Sequence, residues 1–325
     1  MKKLFFGSFI TILSVLAILG GIYYYQQLKS PRLKPVQAIP SNAAVVVEVK
    51  NVRKSWEKLK STKLWQDASS TGALKKLNEE LTSFDSLISR SGNLNDLLES
   101  ENLYISAHPT NTGDFNLLFM AAIPQLNPED FTNTLVKEVF KDVAIAKRQF
   151  QGTEIVEIPI NSANDKQKYL SYSVSKGLLV ASFTSYLLEN TIRKIKKTLS
   201  TDSVEQSFTK VYNSSGRNVE ANIYVNYKFL PDLAKPILKM ERRNVIPGFS
   251  NFASWSEFDL RVKNDAISLT GITSTKNTEN QYLNIFANQA PQAIKLTSIL
   301  PYNTALMVFT GVNNFDNYYS DYRSY

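Results

Sequence analysis

Cysteine is absent from all 325 residues, and histidine occurs once, at His108. No disulfide, thiolate zinc site, thiol nucleophile or lipid-modified cysteine can therefore exist, and the chain must be held by an ordinary core. A single imidazole with no thiol leaves carboxylates alone as metal ligands, and no Asp-x-Asp-x-Asp-Gly calcium loop is present. Neither a Gly-x-Ser-x-Gly elbow nor a glycine-rich phosphate loop between strand and helix occurs. His108, before Pro109, reads as a histidine flanking a turn. No catalytic, metal or cofactor residues are assigned, and the chain is expected not to be an enzyme.

Acidic charge is scarce only at the start. Five of the 37 basic residues lie within residues 1–35, which hold no acid, so the remainder carries 32 basic against 29 acidic residues. That near balance excludes the concentrated basic footprint of a nucleic-acid binder. Several acids fall close together: Glu79 with Glu80, Glu99 with Glu101, Glu154 with Glu157, and Glu257 with Asp259. A cleft joining two of them could hydrolyse a glycoside. Strand alternation reads Glu154/Glu157 and Glu257/Asp259 as solvated faces, and helix surfaces or loops account for the others.

Long hydrophobic runs are also rare, with one exception. Leu4 to Tyr25 contains no charged residue. At about 1.5 Å per residue it covers roughly 33 Å, enough to cross a bilayer as a helix. Tyr23, Tyr24 and Tyr25 would form an aromatic belt. No small-x-small exit site follows in good form, so an uncleaved anchor is expected rather than a signal peptide. The organisation expected is a cytoplasmic head at 1–3, an anchor at 4–25 contacting the lipid bilayer, and a Pro/Lys spacer at 26–38. Residues 39–298 then form the main domain, and 299–325 begin a second, truncated repeat. This places a single-pass protein in the cytoplasmic membrane with its main domain extracytoplasmic or periplasmic.

The repeat rests on two similar openings. Ile39-Pro40-Ser41-Asn42 precedes Ala43 to Val49, and Leu300-Pro301-Tyr302-Asn303 precedes Thr304 to Thr310. Between them, strand patterns at Leu103–Ala107 and Phe115–Ile123 flank the polar Thr110–Asp114 turn. Further hairpins centre on Gly152, on Lys176-Gly177 and on Lys263-Asn264-Asp265. Apolar residues at helical spacing mark Leu74 to Ile88, with Gly72 before it and Gly92 ending it, and Leu188 to Leu199. Asn127-Pro128-Glu129-Asp130 writes a helix start with Phe131, Leu135 and Val139 as its stripe. Ser203 to Gln206 has the form of a capping box. The fold class expected is α+β: an N-terminal transmembrane helix, antiparallel sheet built from hairpins with interspersed helices, and the start of a second repeat at the C-terminus.

Two patches are candidates for interaction. Arg193, Lys194, Lys196 and Lys197 crowd one helix end and could meet an anionic surface, although cations there also complement the helix dipole. Phe315, Tyr318, Tyr322 and Tyr325 would form an apolar stripe available to a partner.

The anchor, the Ile39-Pro40-x-Asn42 opening, Trp56 in the following helix, and the segment from Trp255-Ser256-Glu257-Phe258-Asp259-Leu260 to Gly271-Ile272 resemble a bacterial family of membrane-anchored envelope proteins with a domain of unknown function. The likeness spans most of the chain and rests on structural motifs. It implies longer relatives and no established active site. The function expected is a non-enzymatic binding or scaffold protein of the bacterial envelope, with a protein partner or the missing second repeat completing it. Two alternatives stand beside it: a carrier of lipid or another hydrophobic ligand, and a hydrolase of envelope glycan or peptide.

Overall fold

The computed structural model describes residues 33–70, 72–110, 114–123, 133, 134, 137, 138, 145–160, 168–200, 205–235, 238, 246–263, 266–276 and 279–325. Its centre is one ten-stranded sheet. The strands are β1 (Val45–Val49), β2 (Leu103–Pro109), β3 (Phe115–Ala122), β4 (Ala146–Phe150), β5 (Thr153–Ile160), β6 (Lys168–Ser175), β7 (Leu178–Ser182), β8 (Ala221–Asn226), β9 (Trp255–Lys263) and β10 (Ala266–Ser274). They lie in the order β10-β9-β8-β1-β2-β3-β7-β6-β5-β4, and every neighbouring pair is antiparallel.

Local chemistry sets the hairpins. Gln151 and Gly152 both have positive φ, 50° and 72°, as do Lys176 and Gly177, 53° and 76°. Two left-handed residues in sequence make a turn whose twist matches the flanking strands, so β4–β5 and β6–β7 close in two residues each. Gly271 is required for another reason. A Cβ there would lie 1.7 Å from the Glu257 carbonyl oxygen of the adjacent strand. Gly271→Ala must therefore push β10 off β9, and a loss of at least ~2 kcal/mol in urea unfolding is expected. An unchanged midpoint would contradict the register Gly271 opposite Phe258.

Helices cover both faces. On one lie α1 (Pro35–Ala38), α6 (Ser185–Ser200) and α7 (Gln206–Ser214). Leu188, Ile192 and Ile195 of α6 pack with Phe208 of α7 against Val46, Leu118, Val180 and Tyr224. On the other lie α2 (Val52–Lys60), α3 (Lys63–Ser69), α4 (Gly72–Ile88) and α5 (Gly92–Ser100). Phe84 and Ile88 of α4, with Leu94, Leu97 and Leu98 of α5, seal against Leu103, Leu117, Phe119 and Ile158. The Phe84 and Phe119 rings stack at 4.1 Å. Also described are α8 (Leu230–Ala234), α9 (Phe315–Ser324) and three 3-10 helices at Ile246–Asn251, Tyr282–Phe286 and Leu296–Ser298.

The expected fold class is corrected. All described strands join one sheet from Val45 to Ser274, and the second repeat's strand does not form: Thr304 to Thr310 has no regular structure. The run lacks the neighbours on both sides that hold β1 between β2 and β8. The anchor expected over Leu4–Tyr25 lies outside the described residues, as does most of the helix expected after Asn127. Among the described residues no helix is long and apolar enough to cross a membrane, so the described fold contains no transmembrane helix. Two local readings also change. Gly92 opens α5 instead of ending α4, because the Ser91 hydroxyl caps the new helix by accepting from Leu94 N at 3.1 Å. The α7 N-cap is Glu205, without a side-chain cap bond, and Ser203 of the expected capping box lies outside the described residues; the Glu205 carboxylate accepts from Ser207 Oγ at 2.7 Å and Trp255 Nε1 at 3.2 Å.

Candidate functional site

The central strands reverse the usual relation between polarity and depth. In β1, β2 and β8 one face presents Val46, Glu48, Tyr104, Ser106, His108, Asn222 and Tyr224, all buried. The opposite face presents Val47, Val49, Ile105 and Ile223, all only half-buried, beside the buried Leu103 and Ala221. Apolar side chains in the middle of a wide sheet should be the most deeply covered of all. Here their cover stands off.

Beneath α2–α4 lies a cavity of about 390 Å³. Its floor is a row set by register: Ile105, Val47 and Ile223 stand side by side, with Leu260, Val262 and Ile267 continuing toward the sheet edge. Its roof is Trp56 and Leu59 of α2, Trp65 of α3, and Leu77, Leu81 and Phe84 of α4. The two tryptophan rings meet edge to face at 5.6 Å and are half-buried. Burial thus falls along the cover, from sealed Phe84 and Ile88 to the tryptophans above the space.

Polar groups around the cavity are already engaged with one another. Trp56 Nε1 donates to Asp85 Oδ2 at 3.1 Å, and Lys60 Nζ reaches the same oxygen at 3.4 Å. Ser55 Oγ donates to the Lys50 carbonyl at 2.6 Å. Lys58 pairs with Glu220, whose second oxygen accepts from Val262 N at 3.1 Å. Burial pushes the Glu220 carboxyl up, but the Lys58 ammonium and the Val262 N–H outweigh it and hold the group below its ordinary range. Glu220 is therefore ionised at neutral pH and cannot serve as a general acid. The site offers apolar surface and shape, with no spare donor or acceptor identified to orient a polar reacting group.

On the other face is a buried polar network. Glu48 accepts from Asn102 Nδ2 at 2.7 Å and from the Tyr224 hydroxyl at 3.1 Å. Asn222 Nδ2 donates to Asp259 Oδ1 at 2.7 Å and lies 3.3 Å from Glu257 Oε1. Asp259 also accepts from Gly216 N at 2.7 Å. Glu257, only 2% exposed, is pushed up to about 7, by burial first and by the neighbouring Asp259 carboxylate second. The alternation that reads Glu257 and Asp259 as a solvated face is thus inverted: the strand turns these carboxylates inward. A raised carboxyl beside a second carboxyl is the pairing expected of an acid and base. Neither the 390 Å³ cavity nor a smaller one of 160 Å³ is lined by them, so these cavities give a substrate no approach. Their evident work is to tie β1, β8 and β9 together.

His108 is also buried, not set at a turn surface. Its Nδ1 is 2.9 Å from Asn42 Oδ1 and its Nε2 is 2.9 Å from Ser106 Oγ. An amide oxygen can only accept, so Nδ1 carries the proton; burial disfavours a second one, which leaves Nε2 to accept from the serine hydroxyl. Burial lowers its pKa to about 3. The Asn42 of the opening motif is explained by this bond.

The basic patch is dispersed. Arg193 pairs with Glu189 at 3.6 Å and lies over the Phe150 ring, and Lys196 donates to the Gln151 carbonyl. Lys194 faces the 160 Å³ cavity, whereas Lys197 is exposed. The aromatic stripe stays together on α9: Tyr318 packs on Phe286 at 5.5 Å and meets Phe315 at 6.1 Å and Tyr322 at 6.3 Å, and Tyr325 meets Tyr282 at 5.7 Å, while Phe315, Tyr322 and Tyr325 remain exposed. Sequence reasoning missed the cavity floor. The available signal was the Val45-Val46-Val47-Glu48-Val49 strand itself, in which one charge among valines marks the buried polar side.

No family model, curated protein or solved structure matches the chain. What the site does must be argued from its own geometry.

Proposed function

We propose that this chain is a non-enzymatic binding protein that holds an apolar small molecule of the lipid class beneath α2–α4. The observation that carries this reading is the 390 Å³ cavity over the centre of the sheet, inside the range of about 300–1,000 Å³ usual for small-molecule sites. Native interiors pack to the density of organic crystals and leave few voids larger than a water molecule. The space is partly open to solvent, so its apolar lining stays in contact with water until an apolar occupant covers it. The engaged polar rim favours a hydrocarbon body over a polar substrate, and it leaves any charged head at the Lys58–Glu220 and Lys60–Asp85 pairs.

Titration with cis-parinaric acid, a fluorescent long-chain carboxylic acid, tests this. It is expected to saturate at one molecule per chain and to quench Trp56 and Trp65 by energy transfer. Uptake that never saturates, or that leaves both tryptophans unchanged, would overturn the reading.

A further inference from the structure

The two edges of the sheet are finished differently. β4 is five residues long and carries Lys147 and Arg148, paired with Glu154 at 3.2 Å, and with Glu157 at 3.0 Å and Glu189 at 2.8 Å. Short length and charge are what keep an edge from pairing with another strand. β10 is nine residues long, with no charge and no proline, and its Leu269 and Ile272 are exposed. Among the described residues that edge has none of the usual protections.

The same chain carries a strand former without a sheet. Gln289 accepts at Oε1 from the backbone N–H of Asn313 and of Asn314, both at 3.1 Å, and Asn313 Oδ1 accepts from Ala290 N at 2.7 Å. These bonds pin the base of an arm, residues 291–312, that leaves the body with Lys295 as its only charge. Within it Leu306 and Val308 are each 82% exposed. The arm repeats the opening of β1, Pro301-x-Asn303 matching Pro40-x-Asn42, and β1 is a strand paired on both sides. α9, docked on Tyr282 and Phe286, holds the arm where it forms no ladder of its own.

We infer that the arm around Ala305–Gly311 adds as an eleventh, antiparallel strand to the β10 edge of a second copy of this chain. Uncharged edge meets uncharged arm, main-chain hydrogen bonds supply the affinity, and Leu306 and Val308 lose their exposure. Antiparallel pairing follows the rule of every other pair in the sheet.

The absence of cysteine makes a direct test available. Met307→Cys in one chain and Thr270→Cys or Ser268→Cys in another are mixed and mildly oxidised. The expected product is a disulfide joining the two different chains, well above what either variant forms alone. Light scattering on the unmodified chain is expected to show two or more copies, and Val308→Pro, placed in a segment without regular structure, should weaken association at least ~10-fold while leaving the circular dichroism spectrum intact. The inference is overturned if the unmodified chain stays single at every concentration, if Val308→Pro associates equally well, or if the arm crosslinks only within its own chain.

Discussion

Replacing Ile223 with tryptophan is expected to lower affinity for an apolar ligand by at least ~100-fold, about 2.7 kcal/mol, while the thermal midpoint holds or rises. Ile223 stands beside Val47 in the middle of the cavity floor and is only half-buried. An indole there would occupy space that the proposed ligand needs and bring up to about 200 Å² of its own surface out of water. In a filled core the same substitution would overpack, at a cost of about 1–3 kcal/mol. The two readings therefore differ in the sign of the stability change as well as in binding. A variant that unfolds more easily and binds parinaric acid as before would contradict the cavity.

Acid and base are expected to destabilise the fold through different buried groups. His108 is held neutral, with its pKa lowered to about 3 by burial, so the unfolded chain binds its proton more readily. Its contribution is whole above about pH 6.5 and disappears as pH falls toward 3, amounting to ~5 kcal/mol. Glu257 behaves in the opposite sense. Burial and Asp259 raise it to about 7, so the folded chain binds the extra proton; the benefit is whole below about pH 4.5 and is lost as pH rises through 7, on the order of 3 kcal/mol. Between those limits the two slopes oppose each other and leave a plateau. Glu257→Gln keeps a donor toward Asp259 and cannot ionise. It should gain stability over the unmodified chain near about pH 8 and match it near about pH 4, by urea unfolding at each. His108→Gln should lose stability overall and flatten the acid limb. A Glu257→Gln curve parallel to that of the unmodified chain would show that Glu257 is not protonated in the fold.

Local features were legible in the sequence where the signal was local. Lys176-Gly177 and Gly152 announce turns that need left-handed backbone, and both close hairpins. Leu188, Ile192 and Ile195 announce a one-sided helix, and all three are buried. The features that failed depend on distant partners. Val45–Val49 pairs with Ala221–Val225, more than 170 residues away, and no pattern in either strand names the other. Glu257 and Asp259 alternate like a wet face because alternation reports which residues share a side, not which side is covered. α7 and the Gly216 backbone just after it decide that, and they leave these carboxylates among Asn222 and Tyr224. The cavity was hidden for a related reason: the spacing of Trp56, Leu59 and Leu64 reads as one apolar helix side, yet Leu64 is exposed and Trp65 lines the space instead, and how far that cover stands from the floor is a tertiary quantity.

Native mass spectrometry of the full chain, first stripped of bound lipid and then offered a long-chain fatty acid, tests the binding reading most directly. A single non-covalent adduct per chain that Ile223→Trp abolishes is the result expected. An unloaded mass at all ligand concentrations, or an adduct that persists unchanged in Ile223→Trp, would contradict it.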